Sequence, residues 1–156
     1  MKRAIGLSLF LVAAGSGSAQ AYTCSISADP LAFGQYDPIT GAQVDGASEV
    51  SVSCSLLGLV SLLVSYEISL DPGTGGSYHP RALSSATDTL DYNLYVDTAR
   101  TEIWGDGTDD TATVTDSYTL GVLTVTRYYP VYGRVFADQN VAAGVYDDTI
   151  TATVEF

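Results

Sequence analysis

The sequence predicts an all-β protein built as one antiparallel sandwich. Apolar and polar residues alternate with a period of two in several runs, and these runs are rich in Thr, Val and Tyr. Turns rich in Gly, Pro and Asp separate the runs. No window of useful length shows the 3.6-residue apolar period of a helix. Many strands with short connections and one polar face each favour a single antiparallel sandwich.

The alternation is clearest in four runs. Residues 50–56 (VSVSCSL) place serine between apolar residues, and residues 60–70 alternate in the same way. Residues 90–96 (LDYNLYV) and 111–136 (TATVTDSYTLGVLTVTRYYPVYGRVF) follow with the residue types of pleated strands. Pro130 lies inside the last run, and it predicts a break, a bulge or a sheet edge there because proline donates no hydrogen bond.

The C-terminal residues 144–156 (GVYDDTITATVEF) form a further half-buried strand in this prediction. Tyr146, Ile150, Ala152, Val154 and Phe156 fall on one parity, and threonine and glutamate fall on the other. Taken alone, this pattern is also typical of an ordinary core strand in a complete sandwich.

Residues 1–21 are predicted to be a secretory signal peptide. A short basic start precedes an apolar run, residues 4–14, which is too short to span a bilayer. Ala19-Gln20-Ala21 then has the pattern of a cleavage site. The predicted mature chain is one domain, residues 22–156, with no further membrane-spanning segment.

Removal of the signal peptide leaves a strongly acidic chain without lysine. Four arginines, at positions 81, 100, 127 and 134, stand against 18 acidic residues. Such a surface repels phosphate backbones and anionic lipids, so nucleic acid is not expected as a partner. A solvated, secreted surface is the favoured interpretation.

The two cysteines, Cys24 and Cys54, are expected to form a disulfide because export places them in an oxidising compartment. No CxxC motif indicates redox chemistry, and the single histidine, His79, offers no metal-binding cluster. No metal or other cofactor is therefore expected.

Catalysis would have to depend on acidic residues in two places. Asp106, Asp109 and Asp110 lie in the turn WGDGTDD, which lacks the spacing of a calcium-binding loop. Asp147 and Asp148 are a second candidate pair, but the sequence contains no nucleophile–base motif. Solvated loops are the favoured interpretation, and no enzymatic activity is predicted.

Aromatic residues offer an alternative function. Tyr128, Tyr129 and Tyr132 are clustered, and Trp104 lies beside a Gly-rich turn. Exposed rings of this kind can stack on sugars or insert into apolar surfaces. A self-contained surface- or carbohydrate-binding module therefore remains open.

Four segments, in this order, resemble one known family. They are CSISADPLAFGQYDPITG, VSVSCS, LDYNLYVDTARTEIWGDGT and AGVYDDTITATVEF. Together they resemble the spore coat protein U domain family, which includes subunits of archaic chaperone–usher pili. The resemblance covers essentially all of residues 22–156, and Cys24 and Cys54 match the cysteine pair that forms the family's disulfide.

The resemblance implies an incomplete, pilin-type immunoglobulin-like sandwich that a donor strand completes. A periplasmic assembly chaperone would lend this strand first, and a neighbouring pilus subunit would replace it at the outer-membrane usher. The chain would pass through the periplasm and then reach the cell surface, in a pilus, or the medium. The residues expected to contact the chaperone and donor strand are Ile150, Ala152, Val154 and Phe156.

One departure from the family bears on the role in a pilus. A shaft subunit carries an N-terminal donor strand ahead of its first cysteine, whereas only Tyr22 and Thr23 would precede Cys24 here. An earlier cut, after Ala14, would add only GSGSAQA, which has no large apolar residues. A tip or minor subunit is therefore expected rather than a shaft subunit, unless the domain completes its own sheet and never polymerises.

Overall fold

The computed structural model describes residues 22–58 and 61–156 as eight β-strands. The predicted signal peptide lies outside these residues, as does Val60, where one predicted run began. In chain order the strands are β1 Tyr22–Ala28, β2 Val44–Leu56, β3 Leu62–Leu70, β4 Arg81–Ser84, β5 Thr89–Tyr95, β6 Val114–Leu120, β7 Val125–Val135 and β8 Ala152–Glu155. The part of the chain that the structure describes has no helix long and apolar enough to cross a membrane.

The strands form two antiparallel sheets, which confirms the predicted all-β sandwich. The larger sheet has the order β1-β2-β7-β5-β4, and the smaller has the order β6-β3-β8. β2 and β7 pair without interruption, from Val44 opposite Val135 to Cys54 opposite Val125. Their alternation directs Val50, Val52 and Val131 into the core and serine and threonine outward, because successive strand residues face opposite sides.

The run 111–136 is divided between the two sheets. Gly121–Thr124 separate β6, in the smaller sheet, from β7, in the larger one. Of the three alternatives predicted at Pro130, a break and a bulge are excluded, because Pro130 pairs in register with Glu49, and an edge remains. β5 pairs with β7 only from Tyr132 onward, so Pro130 has no strand on its other side. Proline has no backbone N–H to donate, and this is tolerated at position 130 because no strand on that side needs the hydrogen bond.

Trp104 belongs to the core and is not an exposed sugar-stacking ring. It is 0% exposed, and its indole Nε1 donates to the Ile68 carbonyl oxygen at 3.1 Å. Its own backbone N–H donates to the Leu94 carbonyl at 2.9 Å. The indole therefore links β3 in one sheet to β5 in the other.

Arg81 is a fully buried cation at the same end of the sandwich. Its guanidinium donates to the carbonyl oxygens of Asp71 and Trp104 at 2.9 and 2.7 Å, and to Asn93 Oδ1 at 2.9 Å. It also lies over the Tyr78 ring, 4.9 Å from the ring centroid. Burial lowers the pKa of Arg81 because desolvation penalises its charged form.

Cys24 and Cys54 are joined by a disulfide between directly opposed residues of β1 and β2. β1 is an edge strand whose only neighbour in the sheet is β2. The covalent bond therefore keeps β1 in place along a sheet edge that has no second partner among the described residues.

Removing the disulfide should lower the stability of the domain without changing the fold. The bridge closes a sequence separation of 30 residues, so Cys24→Ala/Cys54→Ala should reduce the free energy of unfolding by about 3–4 kcal/mol. Urea denaturation measures this loss, and a thiol assay on the unfolded, unreduced protein checks the bond. Detection of two free thiols would contradict the structure.

A chain of hydroxyl groups joins the sheets at the other end of the sandwich. The Tyr66 and Tyr129 hydroxyls are hydrogen-bonded, and Tyr129 donates to Asp116 Oδ2 at 2.7 Å. Burial raises the pKa of Tyr66 to about 12, since the ionised phenolate would be poorly solvated. Burial also raises the pKa of Tyr129.

Stability should therefore fall in alkali. The folded state keeps Tyr66 protonated above its ordinary pKa of 10.0, so stability is complete below pH 10 and declines as pH rises toward about 12. Tyr66→Phe should cost about 1 kcal/mol at neutral pH through its lost hydrogen bond and flatten this decline. Guanidinium denaturation from pH 8 to 12 tests both effects. Tyr128→Phe, on the exposed outer face, is the matched control, and equal slopes for the two variants would refute the assignment.

Candidate functional site

An apolar groove of about 870 Å³ opens between the edges of the two sheets. One wall is the segment 28–38, which follows β1, and the other is the segment 141–152, which leads into β8. Seven buried side chains from β2, β3, β5 and β7 form its floor: Val50, Leu70, Leu90, Tyr92, Leu94, Val131 and Val135. The groove therefore leads down to the hydrophobic core of the sandwich, although the floor side chains themselves are only 1–6% exposed.

The first wall begins where β1 leaves its sheet. Asp29 makes the last backbone hydrogen bond to β2, from its N–H to the Glu49 carbonyl at 2.9 Å. Pro30 follows, and Leu31 and Phe33 turn toward the core while their neighbours stay exposed. In the described structure, no backbone hydrogen bond joins residues 30–36 to another segment. Over residues 30–36 this wall therefore has an unpaired backbone, and Gly34 turns the chain within it with a φ of +83°.

Two glycines make room for the first wall. A Cβ atom on Gly133 would lie 2.6 Å from the Phe33 ring, and one on Gly46 would lie 3.0 Å from a Leu31 methyl group. Both glycines are on the core face of the larger sheet, so their missing side chains leave a notch that Leu31 and Phe33 fill. The Phe33 ring then packs edge-on against Tyr92, with centroids 5.7 Å apart.

The second wall is less regular than the sequence predicted. The strand expected through residues 144–156 is confined to Ala152–Glu155, apart from a single bridge between Asp147 and Ser84. Its partner β3 ends at Leu70, and Asp71 caps the ladder by donating its N–H to the Thr151 carbonyl and accepting from Thr151 N–H, both at 3.0 Å. Between the Asp147 bridge and Thr151, residues 148–150 therefore pair with no strand in the described structure.

Asp148 fixes this wall to the rest of the domain. Its carboxylate accepts hydrogen bonds from Thr74 N–H at 2.8 Å, from Thr74 Oγ1 at 2.6 Å and from the Tyr92 hydroxyl at 2.7 Å. Burial, together with this bond to Asp148, raises the pKa of Tyr92. The contact joins the wall to the groove floor, because Tyr92 lines the floor.

The predicted groove residues divide into two pairs. Ile150 and Ala152 line the groove. Val154 packs against the core beyond it, opposite Ile68, and the Phe156 ring packs edge-on against Tyr22 and Tyr66 with centroid distances of 5.9 and 5.7 Å. At that end, β1 and β8 are in contact and the gap between the sheets is closed. Chaperone or donor contact by all four residues stays a prediction.

Sequence reasoning missed the first wall and the role of Asp148. The pattern PLAFGQY did contain a signal, because Leu31 and Phe33 are spaced two apart after a proline. The sequence pattern presents Asp148 only as a candidate catalytic acid, whereas its hydrogen bonds give it a structural role.

The other candidate acids and aromatics do not converge. Asp106 accepts from Thr108 Oγ1 at 2.6 Å, which holds the pKa of Asp106 below its usual value. Across residues 22–58 and 61–156, no three His, Cys, Asp or Glu side chains group closely enough to hold a metal ion. Tyr129 is inside the sandwich, Tyr132 lies under Arg100, and Tyr128 is exposed, so the three rings form no joint platform.

Removing the Asp148 carboxylate should destabilise the domain. Asp148→Ala loses four hydrogen bonds, one of them from the adjacent Thr149 N–H, and leaves the Tyr92 hydroxyl without its acceptor, which should cost about 2–3 kcal/mol of unfolding free energy. Asp147→Ala is the matched control, because that exposed carboxylate accepts no hydrogen bond in the structure and its loss should cost less than about 0.5 kcal/mol. Urea denaturation of both variants measures the difference, and equal losses would contradict the structural role.

Comparisons with known proteins agree with this geometry. The Spore Coat Protein U domain model matches residues 8–153. Protein U of Myxococcus xanthus is 32% identical over 133 residues, which cover 81% of this chain and 71% of Protein U. A chain in the crystal structure of the CsuC–CsuE chaperone–tip adhesion subunit pre-assembly complex, from archaic chaperone–usher Csu pili of Acinetobacter baumannii, is 25% identical with a TM-score of 0.56. That match covers 86% of this chain but only 40% of the other. Because the family model spans nearly all of the chain, this protein belongs to the Spore Coat Protein U domain family.

Proposed function

We propose that this protein is a structural subunit of an archaic chaperone–usher type pilus and that its groove accepts a donor strand. One observation carries the proposal: an apolar groove lies between residues 141–152, which lead into the edge strand β8, and residues 30–36, whose backbone is unpaired. An extended segment placed there can bond to both walls through its main chain. Its alternate side chains can fill the groove and set the register.

The physical state of the groove explains why such a subunit would need a chaperone. Open apolar surface beside an unpaired strand edge favours aggregation. A periplasmic chaperone strand would cover both features until a neighbouring subunit replaced it. The family membership and the similarity to a chaperone–subunit complex support a pilus-type role and a structural rather than catalytic one. Passage through the periplasm and the usher to the cell surface is part of this proposal.

Within a pilus, we assign the chain to the tip or to a minor position. β1 begins at Tyr22, and Tyr22 already pairs with Leu56 in the protein's own sheet. The residues from Tyr22 onward are therefore committed to this domain and are not available to complete another one. The preceding residues 15–21 are small and polar, and they offer no large side chains to fill a groove.

A second candidate function is a secreted surface-binding module. Leu57 is 68% exposed in the connection between β2 and β3, and Val122 and Leu123 are 67% and 75% exposed between β6 and β7. The register places both connections at one end of the sandwich, because β3 begins opposite the end of β6 and β2 ends opposite the start of β7. Apolar residues exposed together at one end favour adhesion to an apolar surface. The two functions are compatible if the protein is a tip subunit.

The behaviour of the isolated domain separates these functions. A pilus subunit exported alone should aggregate or be degraded, and a coexpressed chaperone or an added donor peptide should rescue it. A soluble monomer with a sharp, cooperative thermal transition in the absence of either would instead identify a self-contained module and overturn the strand-accepting role.

A charge in the groove should abolish chaperone capture. Ile150→Asp places a carboxylate among apolar groove residues, where an unpaired charge is strongly disfavoured. Val154→Asp should also prevent capture, but by disturbing the core beyond the groove against which Val154 packs. Thr153→Asp, on the exposed face of β8, is the matched control and should leave capture unchanged. Co-purification with a coexpressed periplasmic chaperone is the measurement, and undiminished recovery of Ile150→Asp would refute the groove assignment.

A further inference from the structure

We infer that the groove selects a cationic donor strand, with apolar side chains pointing inward and lysine or arginine pointing toward solvent. This inference rests on the proposed strand-accepting function and adds the chemistry of the partner. It follows from the charges at the rim of the groove and from where the protein's own basic residues lie.

All charged residues that line the groove are acidic. Asp29 and Asp37 belong to the first wall, and Asp147 and Asp148 belong to the second. Among residues 22–58 and 61–156, no lysine, arginine or histidine lines the groove. Carboxylates therefore flank, from both sides, the space into which a strand would insert.

Three of these carboxylates are available to a partner. Asp29, Asp37 and Asp147 are exposed, and only Asp37 uses a side-chain oxygen within the described structure, in a hydrogen bond from Ile39 N–H at 2.9 Å. Asp148 is less exposed and is already bound to Thr74 and Tyr92. The first three, which we call the rim carboxylates, keep acceptor capacity for an incoming cation.

The arginines of the described structure are all engaged elsewhere. Arg81 is buried against carbonyl oxygens. Arg100 and Arg134 contact Asp45, at 3.4 and 2.7 Å, and Arg127 lies 3.9 Å from Asp116. Since none of these contacts is with a rim carboxylate, the rim charge is not neutralised from within residues 22–58 and 61–156.

A strand between the walls would present its outward side chains to this rim. Neighbouring strands lie about 4.8 Å apart, and successive side chains alternate between the groove and solvent. The first wall is unpaired over residues 30–36, so a partner segment of about seven residues fits beside it. Outward lysine or arginine side chains are long enough to approach carboxylates on either wall, while outward glutamates would be repelled.

Synthetic peptides test this selectivity directly. Three nine-residue peptides would share alternating valine and leucine inward positions and carry lysine, serine or glutamate at the outward positions. The protein would be purified after export and refolded in the presence of each labelled peptide. The fluorescence anisotropy of the peptide would then report binding. At low salt we expect the lysine peptide to bind at least about tenfold more tightly than the glutamate peptide, with a smaller difference at about 0.5 M salt because exposed charges are screened.

Two protein variants with equal charge changes locate the effect. Asp29→Asn/Asp37→Asn/Asp147→Asn should lose the preference for lysine, and its thermal unfolding should match that of the unchanged protein. Glu102→Gln/Asp109→Asn/Asp110→Asn removes three exposed charges outside the groove lining and should keep the preference. Asparagine suits positions 109 and 110, where φ is +50° and +55°.

The outcomes distinguish this inference from the function on which it rests. Equal binding of the three peptides, or equal loss of preference in both variants, would overturn charge selection at the rim while leaving strand acceptance intact. Failure of all three peptides to bind would overturn strand acceptance itself and this inference with it.

Discussion

The groove end of the sandwich depends on the hydrogen bonds of the buried Arg81 guanidinium. Its bonds to the Asp71 and Trp104 carbonyls and to Asn93 hold the end of β3, the core tryptophan and β5 around one buried cation. A buried charge is tolerated only when hydrogen bonds replace its hydration, so these groups cannot move independently. Asp71 in turn caps the start of β8, and Tyr92 holds Asp148. The floor and the second wall are thereby fixed although no described strand fills the space between the walls.

The two ends of the sandwich differ because different side chains bridge the gap between its edges. At one end, Phe156 packs edge-on against Tyr22 and Tyr66, the Cys24–Cys54 bond holds β1, and the core is covered. At the other end β1 has left its sheet, β8 has not begun, and the gap remains as a groove. Leu31 and Phe33 fill only the notch over Gly46 and Gly133. The unfilled part concentrates apolar surface and unpaired backbone in one place, which is the combination that an added strand can satisfy.

The charge distribution adds selectivity to this apolar site. Burial of side chains in the groove would provide most of the affinity, but any alternating apolar strand could provide it. The rim carboxylates distinguish among such strands, because they attract outward lysine or arginine and repel outward glutamate. The chain has no lysine after residue 21, and its arginines contact other groups. The cations that pair with the rim carboxylates would therefore come from the partner.

The sequence by itself determined the strand composition, the antiparallel class, the cysteine pair and the inward parity of Ile150 and Ala152. These features depend on local alternation or on compartment chemistry.

Only the tertiary structure decided which strands share a sheet, why β8 is short and how the groove is walled. β6 and β7 read as one run but belong to different sheets, and the notch requires Gly46 and Gly133 to meet through the β2–β7 register. β8 begins only where β3 and Asp71 can pair with it. Such features arise from contacts between residues far apart in the chain, and a local pattern of residues cannot encode them.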